Sequence, residues 1–410
     1  MSASAFDPPN STSPSNSQPF PQTLAVQPAL DIPPGFRAFP HATHRGSTVL
    51  FNNLRELRAY GHGESPYWRY GLHGTPTSEA LCQQLAQIEG GSHALLLPSG
   101  LAAISLVYFA CLKAGDDVLV PDNAYGPNCD HGAWLARDFG ITMRRYDPLI
   151  GAGIADLIRP ETRLIWLEAP GSVTMEVPDV PAIVKAARAR GVLTAIDNTW
   201  AAGLVFKPFM HGVDISVQAL TKYQSGGSDV LMGATIVNDT ALHERLVLTR
   251  MRMGWGVSAD DCYLVLRGLQ TMPVRIAAHD RAARELAEWL SQRPEIARVL
   301  HPALPDCPGH EVWQRDFTGA TGLFSVLFQP QFTQAQIDAF IEGLRHFAIG
   351  FSWGGAHSLA LPYEVPSMRT TSAWPPSGKP AGGLVRFYVG LEDQRDLIAD
   401  LRQSLETHLR

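Results

Sequence analysis

Lys222 closely follows the apolar run Asp214 to Ala219, and upstream the apolar run Val192 to Asp197 ends in an acid. A lysine closing one buried strand and an aspartate closing another form the pair that pyridoxal 5'-phosphate (PLP) chemistry requires. The amine condenses with the aldehyde, and the carboxylate keeps the pyridine nitrogen protonated so that the ring acts as an electron sink. A charged acid after a wholly apolar strand calls for a cationic partner. A protonated pyridine at about 4 Å would contribute roughly 4 kcal/mol at an effective dielectric of 20. Each residue also has a plainer reading. Asp197 can cap the turn through Asn198 and Thr199, and Lys222 can be a strand-end side chain with its head in water.

Three further stretches add to the pair. Pro98-Ser99-Gly100-Leu101 reads as a strand-to-helix turn. Unpaired N–H groups at a helix start, together with its dipole, suit a phosphate, although Ser99 also reads as an ordinary N-cap. Tyr125 lies in the loop after an apolar strand, where an aromatic ring can stack on a pyridine or simply pack. Glu168 ends another strand, before Ala169-Pro170-Gly171-Ser172, and is placed to orient loop backbone.

These residues need a scaffold of strand ends. From about Gly90 the chain alternates short apolar runs with helical stretches. The spacing predicts strands at His93–Pro98, Asp117–Val120, Ile141–Tyr146, Arg163–Glu168, Val192–Asp197 and Ile215–Ala219, with helices over Ser99–Ala114 and Asn128–Phe139. The fold class is therefore α/β, a mostly parallel mixed sheet sandwiched by helices, with ligands gathering at the carboxyl ends of its strands. From about Thr240 the pattern turns helical over Leu242–Met253, Asp260–Gln270 and Arg275–Leu290. Strands Leu323–Phe328 and Leu384–Val389 with helices Ala335–Leu344 and Asp393–Thr407 then make a smaller α+β unit. The expected division is a flexible tail over 1–40, an arm over 41–75, a large domain over 76–270 and a C-terminal domain over 271–410.

Composition limits the partners. At 410 residues two domains are expected, and a net charge of -6 argues against a nucleic-acid or anionic-membrane partner. The five cysteines show no metal-ligand spacing, and their odd number suits reduced thiols in a cytoplasmic protein. No apolar stretch is long enough to span a bilayer. The first 34 residues are rich in Ser, Pro, Asn and Gln, without the charged and apolar regions of a secretory signal.

The order Ser99-Gly100, Tyr125, Asp197, Thr221-Lys222 resembles the Cys/Met-metabolism PLP enzymes of fold type I. The likeness runs from about residue 45 to the C-terminus. Its most specific stretches are Tyr146 to Gly151, Glu168 to Val177, Ile196 to Gly203, His301 to Pro305, Arg315 to Gly319, Ser352-Trp353-Gly354-Gly355 and Val385-Arg386-Phe387. Trp353 after Ser352 is similar to the β-lyase branch, since γ-acting relatives usually carry leucine there.

The resemblance implies a role for each matching residue. Lys222 would hold PLP and then shuttle protons, and Asp197 would pair with the pyridine nitrogen. Gly100, Leu101 and Thr221 would hold the phosphate, and Tyr125 would stack on the ring. Arg386 would take the substrate α-carboxylate with Ser352 and Trp353 beside it, and Tyr70 would reach the cofactor of a neighbouring subunit. The implied reaction is β-elimination of L-cystathionine to homocysteine, pyruvate and ammonia, with cysteine or its S-conjugates as further substrates, in a homotetramer of dimers that share active sites. A γ-acting relative and a binding protein that has lost catalysis are the alternatives. Two positions depart from the family pattern. Leu72 stands where an arginine usually binds the phosphate across the dimer interface, with His73 beside it, and Ala219 replaces a common serine. Loss of such a charge-assisted contact would weaken cofactor retention by about 1.5–3 kcal/mol.

Overall fold

The computed structural model describes residues 20–26, 38–59, 68–371, 374 and 382–409. Most of the expected polar tail lies outside these residues. Within it, Pro21–Val26 form a helix, and the Leu24 carbonyl accepts from Gln84 Nε2 at 2.7 Å. Leu24 also packs against the main core, so this stretch is tied down where the composition predicts a flexible chain.

The seven-stranded main sheet contains β1 (His93–Leu97), β2 (Asp117–Pro121), β3 (Thr142–Tyr146), β4 (Thr162–Glu168), β5 (Leu193–Asp197), β6 (Ile215–Ala219) and β7 (Gly233–Val237). Its spatial order is β1-β7-β6-β5-β4-β2-β3. β7 runs antiparallel to both β1 and β6, and the other pairs are parallel. The sheet is mixed, as the sequence predicts, but the spacing gave no sign of β7, which follows a Gly- and Ser-rich stretch. β5 lies between β4 and β6, so Glu168, Asp197 and the turn to Lys222 emerge from adjacent strands at one edge.

Burial on both faces explains why these strands carry apolar residues without alternation. Leu164, Ile165, Trp166 and Leu167 of β4 are all fully buried. Removing the Trp166 side chain would cost about 3–5 kcal/mol. The helix Gly100–Cys111 starts at Ser99, whose Oγ accepts from Ala102 N at 3.0 Å, and it buries Ala103, Ile104, Leu106 and Val107.

A second sheet holds β8 (Ile296–Leu300), β9 (Leu323–Phe328), β10 (Leu359–Tyr363) and β11 (Leu384–Tyr388) in the antiparallel order β10-β11-β9-β8. The long helix Met272–Ser291 precedes it. β8 and β10 are also absent from the sequence reading. In β8 the charged Arg298 interrupts a short run, and β10 carries Pro362 in a strand at the sheet edge, where a missing N–H is tolerated. Among the described residues no helix is long and apolar enough to cross a membrane.

Candidate active site

A cavity of about 270 Å³ opens at the carboxyl edge of the main sheet. It is lined by Gly100, Leu101, Tyr125, Asp197, Thr221, Lys222, Ser352, Trp353 and Arg386. The structure thus brings together nine of the ten residues to which the resemblance gives a role, with Glu168 and Ala219 beside them. Tyr70 does not line this cavity, and its side chain is exposed.

Lys222 is largely enclosed, with Nζ donating to Ser352 Oγ at 2.6 Å and lying 5.3 Å from the Trp353 ring centroid. Burial, and after it the Arg386 charge, lowers its pKa to about 8 while Asp197 pulls the other way. A substantial fraction of the amine is therefore neutral near physiological pH, the state a nucleophile or base needs. The Ser352 loop reaches Lys222 because Gly354, at φ +95, packs on the Lys222 backbone. A Cβ at Gly354 would lie 2.7 Å from the Lys222 carbonyl carbon.

Asp197 lines the cavity and keeps part of its surface exposed. Oδ1 accepts from Thr199 N at 3.0 Å, so the turn-capping reading of this residue also holds. Burial pushes its carboxyl above the usual range, and the Thr199 hydrogen bonds and Lys222 draw it back down. An acid held this way is best satisfied by a cation arriving from the cavity.

The cavity also offers donors for an anion. Ser99 caps Ala102 N, which leaves the Gly100 and Leu101 N–H groups at the helix start without a protein partner among the described residues. Gly100 abuts the end of β6 so closely that a Cβ would come 2.7 Å from Ala219 Cβ. Thr221 Oγ1 is engaged with Met232, donating to its carbonyl at 3.3 Å and accepting from its N–H at 3.1 Å.

Tyr125 donates its backbone N–H to Glu168 Oε2 at 2.8 Å, so Glu168 does orient the loop after β2. Burial, then the charges of Asp197 and Glu168, raise the Tyr125 pKa. Its phenol therefore stays protonated as a donor near neutral pH. Arg386, on β11, is buried, with its guanidinium 5.0 Å from the Tyr363 ring centroid. It has no carboxylate partner among the described residues. Tyr363, Phe351 and Leu231 also line the cavity and were missed from sequence. Phe351 directly precedes the Ser352-Trp353 motif, but Tyr363 is carried by the unrecognised β10, opposite the end of β11.

A cationic pyridine at the Asp197 carboxylate, a phosphate at the Gly100 and Leu101 N–H groups, and an aldehyde at the Lys222 amine match the groups that line this cavity. The family model described as Cys/Met metabolism PLP-dependent enzyme matches residues 22–406. The chain belongs to this family. A cystathionine beta-lyase of Bordetella avium is 44% identical over 88% of this chain and 90% of its own length. Cystathionine beta-lyase MetC of Escherichia coli K12 is 42% identical over 87% of this chain and 91% of its own. A crystal structure of cystathionine gamma synthase from Xanthomonas oryzae superposes with a TM-score of 0.86 at 30% identity, covering 95% of this chain and 98% of that one. The chain is accordingly a PLP-dependent enzyme of the carbon–sulfur lyase kind.

In this family member the arm around Tyr70 stands apart. The Leu72 carbonyl accepts from Arg250 Nη2 at 2.7 Å, and a Cβ on Gly256 would touch Leu72 Cδ1. Leu72 and His73 border a second cavity, of about 280 Å³, behind the arm. Burial, then Arg250 and Arg69, lowers the His73 pKa, so its imidazole is neutral near pH 7. Within this chain, His73 is not a cationic substitute for the arginine that Leu72 replaces.

Proposed function

We propose that this enzyme catalyses the PLP-dependent β-elimination of L-cystathionine, in which cystathionine and water give homocysteine, pyruvate and ammonia. The observation that carries the reading is the Lys222 amine, lowered to about 8, in one cavity with Asp197 and Arg386. PLP supplies, when bound, a ring that withdraws electrons from the substrate Cα. Asp197 would hold the positive charge of the pyridine nitrogen and the Gly100 and Leu101 N–H groups would take the phosphate, while Thr221 lines the same cavity with its hydroxyl and N–H already given to Met232. Tyr125, which lines the cavity, would cover the ring. Arg386 grips the α-carboxylate in a fork and so turns the Cα–H bond towards Lys222 Nζ. Lys222 takes that proton, with Ser352 Oγ steering the amine. The thiolate leaving from Cβ is already a weak base, so the proton it collects needs only modest assistance.

Tyr70, exposed on its own chain, acts in this reading from a second copy, within dimers that pair into a tetramer. The β-position is favoured over γ by Trp353, which lies against Lys222 Nζ, and by the names of the relatives at 42–44% identity. The deciding experiment incubates purified protein with PLP and L-cystathionine and follows pyruvate, 2-oxobutyrate and free thiol together. Pyruvate with homocysteine is expected. 2-Oxobutyrate with cysteine would transfer the enzyme to γ-chemistry, as for the synthase whose structure it resembles.

A further inference from the structure

Glu89 is the last residue of the helix Pro76–Glu89 and is 1% exposed. Its Oε1 accepts from Asn198 Nδ2 at 2.7 Å and from Ser216 Oγ, and its Oε2 accepts from Gln218 Nε2. Asn198 directly follows Asp197, and Ser216 and Gln218 belong to β6, which leads into Lys222. Gln218 Oε1 accepts in turn from Gln224 Nε2, just beyond Lys222. One carboxylate is thus bonded both to the turn that leaves Asp197 and to the strand that delivers Lys222.

The loop after Asn198 is wrapped around this carboxylate. Gly203 has φ +67, and a Cβ there would collide with Glu89 Oε2. Lys207 Nζ closes the loop by donating to the carbonyls of Ile88 and Gly203, the latter at 2.6 Å. On the cavity side a separate tie joins the same two elements, since Thr199 Oγ1 accepts from Ala219 N at 2.9 Å. Successive side chains at a strand end point to opposite faces. Asp197 therefore meets the cavity while Asn198 meets Glu89, and neither Glu89, Asn198 nor Gln218 lines the cavity.

We infer that Glu89 is a positioning residue of the active site, tying the turn after Asp197 to β6 and so fixing the separation of Asp197 and Lys222. This rests on the reading of those two residues given above. Burial raises the Glu89 carboxyl to about 7, against the pull of Ser216, Asn198, Lys207 and Gln218. An apolar side chain filling the same space would carry no such cost, which fits a group kept for geometry rather than for stability.

The test is Glu89→Gln in the PLP-loaded enzyme, which keeps the side-chain size but turns one acceptor oxygen into a donor facing donors. The expected result is a fall in kcat of about ten- to hundredfold with KM changed less than about threefold. The pH midpoint of the bound cofactor's visible absorption should rise by about half a unit or more, because a displaced Asp197 supports the ring nitrogen's charge less well. Asn198→Ala breaks the same link without touching Glu89 and should move the midpoint in the same direction. The double variant should lose little more than the larger single loss. A midpoint and kcat unchanged in both variants, whatever happens to thermal stability, would overturn the inference, as would strictly additive losses. The midpoint needs no substrate, so it separates the two levels of the argument. A wild type with no visible band sinks the Lys222 and Asp197 reading, whereas a band that Glu89→Gln leaves in place sinks only the role of Glu89.

Discussion

The strand-end cluster and the N-terminal arm are held by the chain in opposite ways. Asp197, Lys222 and Arg386 emerge from buried strands or the turns directly after them, and their charges are tuned by enclosure. Tyr70, Leu72 and His73 lie on a short arm, where Tyr70 is 47% exposed and His73 is held neutral. The first half is complete within a single chain. The second contributes nothing to its own chain's cavity, and in the reading proposed here it works only when delivered to another copy. In that reading the residues that make or break bonds are placed where the sheet fixes them most firmly, and the accessory contact is left to assembly.

Substitutions can break this contrast or sharpen it. The largest effect is expected at Lys222. Lys222→Ala should lower pyruvate release by about a thousandfold or more, since it removes both the cofactor attachment and the proton carrier. Retained release would mean that the enclosed half is not the reacting half. Arg386→Lys keeps the charge but loses the fork. It should reduce kcat/KM by about ten- to hundredfold, mostly through KM, as read from initial rates against substrate concentration.

Leu72→Arg probes the arm. A new guanidinium there would stand near Arg250, whose Nη2 donates to the Leu72 carbonyl. PLP retention on dilution should tighten by about tenfold with kcat little changed, as measured by slower loss of the visible band over time. No tightening would show that the arm does not approach a second cofactor.

The smallest effect concerns pH. The Lys222 pKa is lowered to about 8, and the neutral amine is the reactive form, so its fraction grows as pH rises through that value. Recombination of PLP with the apo-protein should therefore speed up about fivefold between pH 7 and 8 and level off above 9, in stopped-flow absorbance. A rate flat across this range would place the amine's titration elsewhere.

Much of the enclosed half was legible because its signals are local. Apolar runs without alternation marked the strands, and the chemistry-bearing residues stood at their ends, as at β5 and β6. The family likeness supplied the role of Arg386, since the apolar run over Leu384–Val389 marks a strand but not a binding residue within it. What stayed hidden depends on contacts distant in sequence. β7 is a short run whose pairing with both β1 and β6 is not encoded in its period. Tyr363 enters the site only because β10 pairs with β11, and Pro362 makes that strand look like a loop. Glu89 carries no signal in the sequence, and only the fold shows that it is buried and bonded to Asn198 and Ser216. The tail was read from composition alone, which does not register the helix Pro21–Val26 and its contact with Gln84.

Ser352 holds φ +85, a left-handed conformation that costs a non-glycine residue about 1 kcal/mol or more. A glycine at this position would relieve that strain and, by the same step, delete the hydroxyl that receives the Lys222 amine at 2.6 Å. Laboratory selection for heat resistance would therefore be drawn to a substitution that dulls the enzyme. A durable variant of this protein has to find its extra degrees elsewhere.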